Sequence, residues 1–234
     1  MPKHFLDLHQ MQSSELRSIL NSAHAMKAKR KGFSKGTKED GLPLAGKSLA
    51  LIFERPSTRT RVSFEMAMKQ LGGEVIMLNS GDMKLGRGET IADTARVLSR
   101  YVDGIMLRAA LHDNLSRLAN AATVPVINGL TNRTHPCQVM ADLQTLEERK
   151  GDVAKNTIAW VGDGNNVAAS WVHAIGQLGG EFRLGCPAEF SMEKPVMDWA
   201  RNKGANVTEM TSPIEAVEGA DCVITDSWVS MHDK

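Results

Sequence analysis

Short apolar runs alternate with stretches whose apolar residues recur at helical spacing along almost the whole chain. That alternation is the sequence form of an α/β fold with parallel sheets. Ser13 or Ser14 can cap a first helix that buries Leu16, Ile19, Leu20 and Ala23. Residues 27–46 are basic and then punctuated by Gly and Pro, which reads as a helix end and a loop. SLALIF at 48–53 reads as a buried strand. Beyond the turn ERPSTRT a helical pattern runs to Leu71, where Gly72 and Gly73 stop it. Residues 74–78 form the next predicted strand. The stretch 79–89 (NSGDMKLGRGE) carries three glycines and mixed charges and reads as a mobile loop. Thr90 and Asp93 have capping-box spacing for a helix that buries Ile91, Ala95, Leu98 and Val102. Strands follow at 103–107 and 124–127 with a helix around 113–121 between them, and a long helical pattern spans 136–149. A second α/β series then begins: strand 157–161, helix 167–178, strand 181–184, helix 192–203 and strand 221–225. The expected organisation is a first domain at 1–134, a connecting helix at 135–150 and a second domain at 151–234.

Composition narrows the classes of partner. The chain has 234 residues, 42% hydrophobic and 24% charged, as an ordinary globular protein of one or two domains does. Its 28 Lys and Arg nearly cancel 27 Asp and Glu, leaving a formal charge of +1. No global field draws nucleic acid or a membrane surface, so any anion site is local. No apolar run reaches the roughly 20 residues that span a bilayer. The opening MPKHFLDLHQ lacks the apolar stretch and cleavage site of a signal peptide. Cys137, Cys186 and Cys222 are odd in number, far apart and outside any CxxC pair. That pattern disfavours a disulfide framework or a zinc site and suits a reducing cytoplasm.

The densest candidate chemistry is Ser57-Thr58-Arg59-Thr60-Arg61, between a buried strand and a helix. A helix N-terminus offers free N–H groups, hydroxyls add donors, and arginine grips phosphate oxygens in pairs. The bland reading is a capped helix start with solvated arginines. Arg108 closes a strand, where ligands of open α/β sheets collect, although a single strand-end arginine is often structural. In Thr134-His135-Pro136-Cys137-Gln138, Pro136 suits a first helical turn, with His135 at its entry and Gln138 one turn on. Cys137 reads as a small buried residue rather than a nucleophile. Gly162-Asp163-Gly164-Asn165-Asn166 half-matches a dinucleotide fingerprint, but Val167 replaces its third glycine and no acidic residue lies around 184–186. Asn165 and Asn166 serve equally as substrate amides or helix caps. Asp226 follows a buried strand, where a carboxylate suits an ammonium group. Trp160, Trp171 and Trp199 read as core or partner-packing residues.

Together, STRTR at 57–61, HPCQ at 135–138, GDGNN at 162–166 and DSWVSM at 226–231 resemble the aspartate/ornithine transcarbamoylase superfamily. The Asp-x-x-x-Ser-Met arrangement and ETIADTARVLSR at 89–100 point to its ornithine carbamoyltransferase branch. The resemblance implies two α/β domains, each a parallel sheet flanked by helices, the first binding carbamoyl phosphate and the second ornithine. It implies carbamoyl transfer to the side-chain amine of L-ornithine, giving citrulline and phosphate, in arginine metabolism. No cofactor or metal is implied, and the partners are the two substrates and identical subunits of a homotrimer or higher homo-oligomer with shared sites. By motif, Ser57, Thr58, Arg59, Thr60 and Arg108 would hold the phosphate. His135 and Gln138 would orient the carbamoyl group, with His135 and Arg108 as the catalytic pair on its carbonyl oxygen. Asn166, Asp226, Ser230 and Met231 would contact ornithine.

This chain departs from the family pattern in three places. Lys84 stands where a glutamine is common, in the loop expected to enter a neighbour's site, and a lysine there would still pair with phosphate. His232 follows Ser-Met where a glycine is usual. The family continues with a His-Cys-Leu-Pro segment and a closing helix, neither of which follows Lys234. The expectation is therefore a second domain that is C-terminally incomplete, with part of the ornithine site missing. Three other readings stay open: a carbamoyltransferase for putrescine or N-acetylornithine, a non-catalytic carbamoyl phosphate-binding module, and a dinucleotide-dependent enzyme.

Overall fold

The computed structural model describes residues 2–79 and 88–226 of the chain. They form two compact units. One holds the residues up to Leu6 together with Arg30–Asn132, the other Asp7–Lys29 and the chain from Arg133 onward.

The first helix, α1 (Ser13–Lys29), groups with the second unit, although it precedes the whole first sheet in sequence. The first unit is built from β1 (Ser48–Phe53), α2 (Thr58–Leu71), β2 (Glu74–Asn79), α3 (Ile91–Leu98), β3 (Gly104–Arg108), α4 (His112–Ala121) and β4 (Val126–Leu130). All four strands are parallel, in the order β2-β1-β3-β4. Parallel strands covered on both faces read as continuous apolar runs, and β1 and β3 are buried almost throughout. Alternate residues feed opposite faces. Ala50, Ile52, Ile105 and Leu107 pack with Ala95 of α3 and Leu115 and Leu118 of α4. Leu49, Leu51, Phe53 and Met106 pack with Met68 of α2. Helix α2 stops at Gly72, which adopts φ +87°, and a Cβ there would lie 2.8 Å from Leu42 Cβ.

The second unit contains α1, α5 (Pro136–Lys150), β5 (Thr157–Val161), α6 (Asn166–Leu178), β6 (Glu181–Gly185), α7 (Lys194–Lys203), β7 (Asn206–Met210), α8 (Pro213–Val217) and β8 (Cys222–Ile224). Its parallel strands run β7-β6-β5-β8. Helix α6 is buried from Ala168 to Ile175, Trp171 included, and with Trp160 and Phe182 it supplies the largest buried side chains of this core. Helix α1 joins it through Leu16 and Leu20 and through polar contacts to α5. Among these are the ion pairs Arg17–Glu147 at 2.6 Å and Lys27–Glu148 at 2.7 Å and the His24–Glu147 hydrogen bond at 2.9 Å.

Several expectations are corrected. Ile19 is 41% exposed, because the buried stripe of α1 is only the narrow Leu16–Leu20 line. The fourth strand begins at Val126 rather than residue 124 and runs to Leu130, starting just past Pro125, which has no N–H for a ladder. Strand β7 and helix α8 carry no signal strong enough to have been predicted. The first is a largely exposed edge strand and the second has five residues. No helix among the described residues is long and apolar enough to cross a membrane.

Candidate active site

In the first sheet β1 lies between β2 and β3, so the chain leaves β1 toward one side and later leaves β3 toward the other. A crevice opens at the carboxyl ends of two strands where connections diverge in this way. The STRT segment follows β1, and Arg108 is the last residue of β3, in register with Phe53 at the end of β1. Ser57 is the N-cap of α2, its Oγ accepting the Thr60 N–H at 3.4 Å. Thr58 and Arg59 are exposed on the first turn, Thr60 is half-buried, and Arg61 is exposed beyond it. Arg108 is only 7% exposed and its Nη1 donates to Thr60 Oγ1 at 3.2 Å. Burial, and then the like charge of Arg59, hold the Arg108 guanidinium below its ordinary pKa. Two cations and a helix N-terminus held together in this way favour a bound anion. The structure thus brings Ser57, Thr58, Arg59, Thr60 and Arg108 to one place.

Glu54 braces this end of the sheet and escaped the sequence reading. Its N–H donates to Arg108 O at 3.0 Å, and its carboxylate accepts from Ala110 N at 2.7 Å and Asn114 Nδ2 at 2.9 Å. The available signal was an acidic residue directly after a buried strand. An open hollow of about 740 Å³ between the starts of α3 and the end of α4 holds none of the expected site residues.

The second sheet has its own point of divergence, between β5 and β8. Asn165 sits there as the cap of α6, its Oδ1 accepting from Val167 N at 2.9 Å and Ala168 N at 3.1 Å. Its amide Nδ2 donates to Asp163 Oδ1 at 3.2 Å and to Asp226 Oδ2 at 3.1 Å. Asn165 is therefore the helix cap, while Asn166 opens the helix and Asp226 lies exposed beyond β8. The Asn166 carbonyl accepts from Ser170 Oγ at 3.0 Å, and that oxygen accepts the His135 N–H at 2.8 Å. The start of α5 is thereby tied to the start of α6. His135 occupies the N-cap position of α5 without a side-chain cap bond, and Pro136 takes the first turn. Gln138 is exposed and donates to Asp142 Oδ1 at 2.7 Å. Burial raises the Asp142 pKa, the Gln138 hydrogen bond opposes this, and the charge of Asp226 adds to the rise. Gln138, Asp142 and Asp226 thus share one neighbourhood of the second unit, with Asp142 a member that sequence reasoning passed over. Lys84, Ser230, Met231 and His232 lie outside the described residues.

Burial pushes the Cys137 thiol up to about 12, which fits a structural side chain rather than a nucleophile. The second glycine of the half-fingerprint has a local purpose. Gly164 N donates to Phe190 O at 2.7 Å, and a Cβ at Gly164 would lie 2.6 Å from Met192 N and 2.7 Å from its Cα. In a dinucleotide site that space admits a pyrophosphate. Here the chain's own backbone fills it, which speaks against the dinucleotide reading.

Comparison with known proteins agrees with this geometry. Residues 3–148 match the family model "Aspartate/ornithine carbamoyltransferase, carbamoyl-P binding domain". Residues 154–234 match "Aspartate/ornithine carbamoyltransferase, Asp/Orn binding domain". The ornithine carbamoyltransferase of Rhodopseudomonas palustris strain BisA53 is 59% identical over 233 residues, covering 100% of this chain and 75% of the relative. That of Bradyrhizobium diazoefficiens is 58% identical, with 100% and 74% covered. The solved ornithine carbamoyltransferase of Pyrococcus furiosus superposes with a TM-score of 0.91 at 44% identity, covering 98% of this chain and 73% of that one. The chain therefore spans about three quarters of the length of these relatives. With both unit folds, the strand-end cluster and these matches in agreement, the chain belongs to the aspartate/ornithine carbamoyltransferase family of transferases, on its ornithine carbamoyltransferase branch.

Proposed function

We propose that the protein transfers the carbamoyl group of carbamoyl phosphate to the side-chain amine of L-ornithine, giving L-citrulline and phosphate, as a step of cytoplasmic arginine metabolism. The observation that carries this reading is the Arg108–Thr60 hydrogen bond beside Arg59 at the end of β1 and β3. In the reaction the neutral amine attacks the carbonyl carbon, a C–N bond forms, the C–O bond to phosphate breaks with its electron pair leaving on phosphate, and the proton shed by the nitrogen passes to the departing phosphate. Negative charge grows first on the carbonyl oxygen and then on the leaving group. Fixed donors aimed at such charge each contribute about 2.7–4 kcal/mol to catalysis. Ser57, Thr58, Arg59 and Thr60 are assigned to the phosphate, Arg108 to phosphate and carbonyl oxygen, and Lys84 to a further contact with phosphate.

For His135 and Gln138, which stand on the second unit, the support is the HPCQ motif, and their assigned target is the carbamoyl group. Asp226 is assigned to an ammonium group of ornithine, with Asn166, Ser230 and Met231 completing that side. The domain limits that accompany this reading are 1–134, 135–150 and 151–234, and its assembly is a homotrimer with shared sites.

Citrulline formation tests the proposal, with the chain as it stands and in a form extended to its relatives' full length. Ornithine should be the preferred amine, and Arg59→Ala should abolish turnover. Preference for putrescine or N-acetylornithine would move the assignment to another carbamoyltransferase. Carbamoyl phosphate binding without turnover of any amine would leave only a binding module.

A further inference from the structure

The second unit encloses another constellation, away from the loops described above. Asp7 precedes the short 3-10 turn Leu8–Gln10, where a carboxylate ordinarily caps free N–H groups, yet it makes no cap hydrogen bond. Its carboxylate faces two imidazoles instead. Oδ1 lies 2.8 Å from His173 Nδ1, and Oδ2 lies 3.3 Å from His9 Nδ1, where hydrogen-bond geometry is not met. The side chains of Asp7 and His173 are 3% and 6% exposed, whereas that of His9 keeps 33%. One ligand atom from each of the three residues falls within 4.8 Å of the others.

From this we infer that Asp7, His9 and His173 form a site for a divalent transition-metal ion of the Zn2+ class, which fastens the N-terminal turn to α6. The donor set is two imidazole nitrogens and one carboxylate, a mixture that suits zinc and its neighbours and not the oxygen-only shells of Mg2+ or Ca2+. Zinc bonds of about 2.0–2.1 Å in a tetrahedron place ligand atoms roughly 3.3–3.4 Å apart. Asp7 Oδ1, hydrogen-bonded to His173 Nδ1 at 2.8 Å, stands closer than that spacing, and Oδ2 stands at its lower edge, 3.3 Å from His9 Nδ1, so an ion would replace the shared proton and open the pair by side-chain rotation. His9 Nδ1 is itself buried, and the remainder of its ring, 33% of the side chain, is the part of the cluster nearest solvent.

The shell around the three residues fixes them in place. Trp199 meets both rings edge-on, with centroids 5.9 Å from His9 and 5.0 Å from His173, and the two imidazoles lie 4.5 Å apart. Gln177, one turn along α6 from His173, donates its Nε2 to the carbonyls of Leu8, His9 and Met11. The turn that carries His9 is thereby held against the helix that carries His173 before any ion arrives. Support of that kind orients ligands and tightens metal affinity.

The chain, freed of metal with a chelator, is titrated with Co2+ as a spectroscopic stand-in and then with Zn2+. A saturable visible absorption band that one equivalent of Zn2+ displaces is expected. Zn2+ at about 100-fold excess over its Kd should raise Tm by ~5–10 °C, and Mg2+ should not. His9→Ala changes the most exposed of the three side chains, so it should keep the native circular dichroism. It should weaken Co2+ binding by at least about tenfold, since loss of an outer partner alone costs about that much. His173→Ala and Asp7→Asn should do the same where they fold. Absence of the band and of any Zn2+-dependent rise in Tm would overturn the inference and leave a carboxylate that holds two imidazoles unaided. A band of unchanged affinity in folded His9→Ala would overturn it equally, by placing the ion elsewhere.

Discussion

Arg108 reaches the end of β1 because the last residue of β3 stands in register with Phe53. The strand pattern predicts an arginine at a strand end, but only the sheet order shows that this end adjoins the STRT turn. Removing its guanidinium deletes the donor to Thr60 and one of two clustered cations. In the assigned role, Arg108→Ala should lower kcat for citrulline formation by about 10²–10³-fold, as loss of an oxyanion donor does, which steady-state kinetics would measure. The cysteines give a second residue-scale outcome. Burial pushes the thiols of Cys137 to about 12 and Cys186 to about 11, the latter helped by the charge of Glu209. Almost no thiolate exists at neutral pH in such groups, and the thiolate is the reactive species. Iodoacetamide at pH 7.5 should leave both unlabelled in the native protein and label both after unfolding, as peptide mass spectrometry would show. The sequence already read Cys137 as structural, since no base neighbours it. It did not reveal Glu54 or Asp142, whose partners come from other elements or from burial rather than from a motif.

Two glycines separate local from tertiary causes at the scale of elements. Gly72 ends α2 with φ +87°, a conformation that costs an L side chain roughly 1–2 kcal/mol, and the Gly72–Gly73 stop was legible in the sequence for that reason. Gly164 has no such φ. It is required because the backbone at Met192 approaches where a Cβ would stand, at 2.6 Å from Met192 N. A Cβ at Gly72 would also press on Leu42 Cβ, at 2.8 Å, but Leu42 is 37% exposed on a turn that can shift outward, whereas the Met192 backbone at Gly164 must move as a unit. Gly164→Ala should therefore lower Tm more than Gly72→Ala, as differential scanning calorimetry would report. An equal or smaller loss would mean that the 190–192 segment gives way easily. The same distinction explains what the chain's pattern withheld. Strands β1, β3 and β5 announce themselves by continuous burial, whereas β7 is an exposed edge and α8 is too short for a period to show. Helix α1 was recognisable as a helix, but its allegiance to the second unit depends on ion pairs with α5, some 120 residues on, that no local window contains.

The whole chain carries a net formal charge of +1, yet its candidate site residues gather at two strand-end loops, one in each unit. Composition could exclude a bulk electrostatic partner but could not locate either loop. The described tryptophans, Trp160, Trp171 and Trp199, fall in the second unit, so tryptophan emission reports on that unit. Leu107 is fully buried in the first unit's core, and Leu→Ala at such positions costs about 2–5 kcal/mol. Leu107→Ala should reduce hydrogen-exchange protection in β1 and β3 by that amount, with a smaller change in the denaturation midpoint read by tryptophan emission. The central claim, an anion site for carbamoyl phosphate where β1 and β3 end, is tested most directly by calorimetric titration of carbamoyl phosphate into the protein and into Arg59→Ala. Saturable binding that weakens about 10–150-fold in the variant is the result expected from losing a charged hydrogen-bonding partner. Absence of binding to the parent protein, or equal affinity in Arg59→Ala, would contradict it.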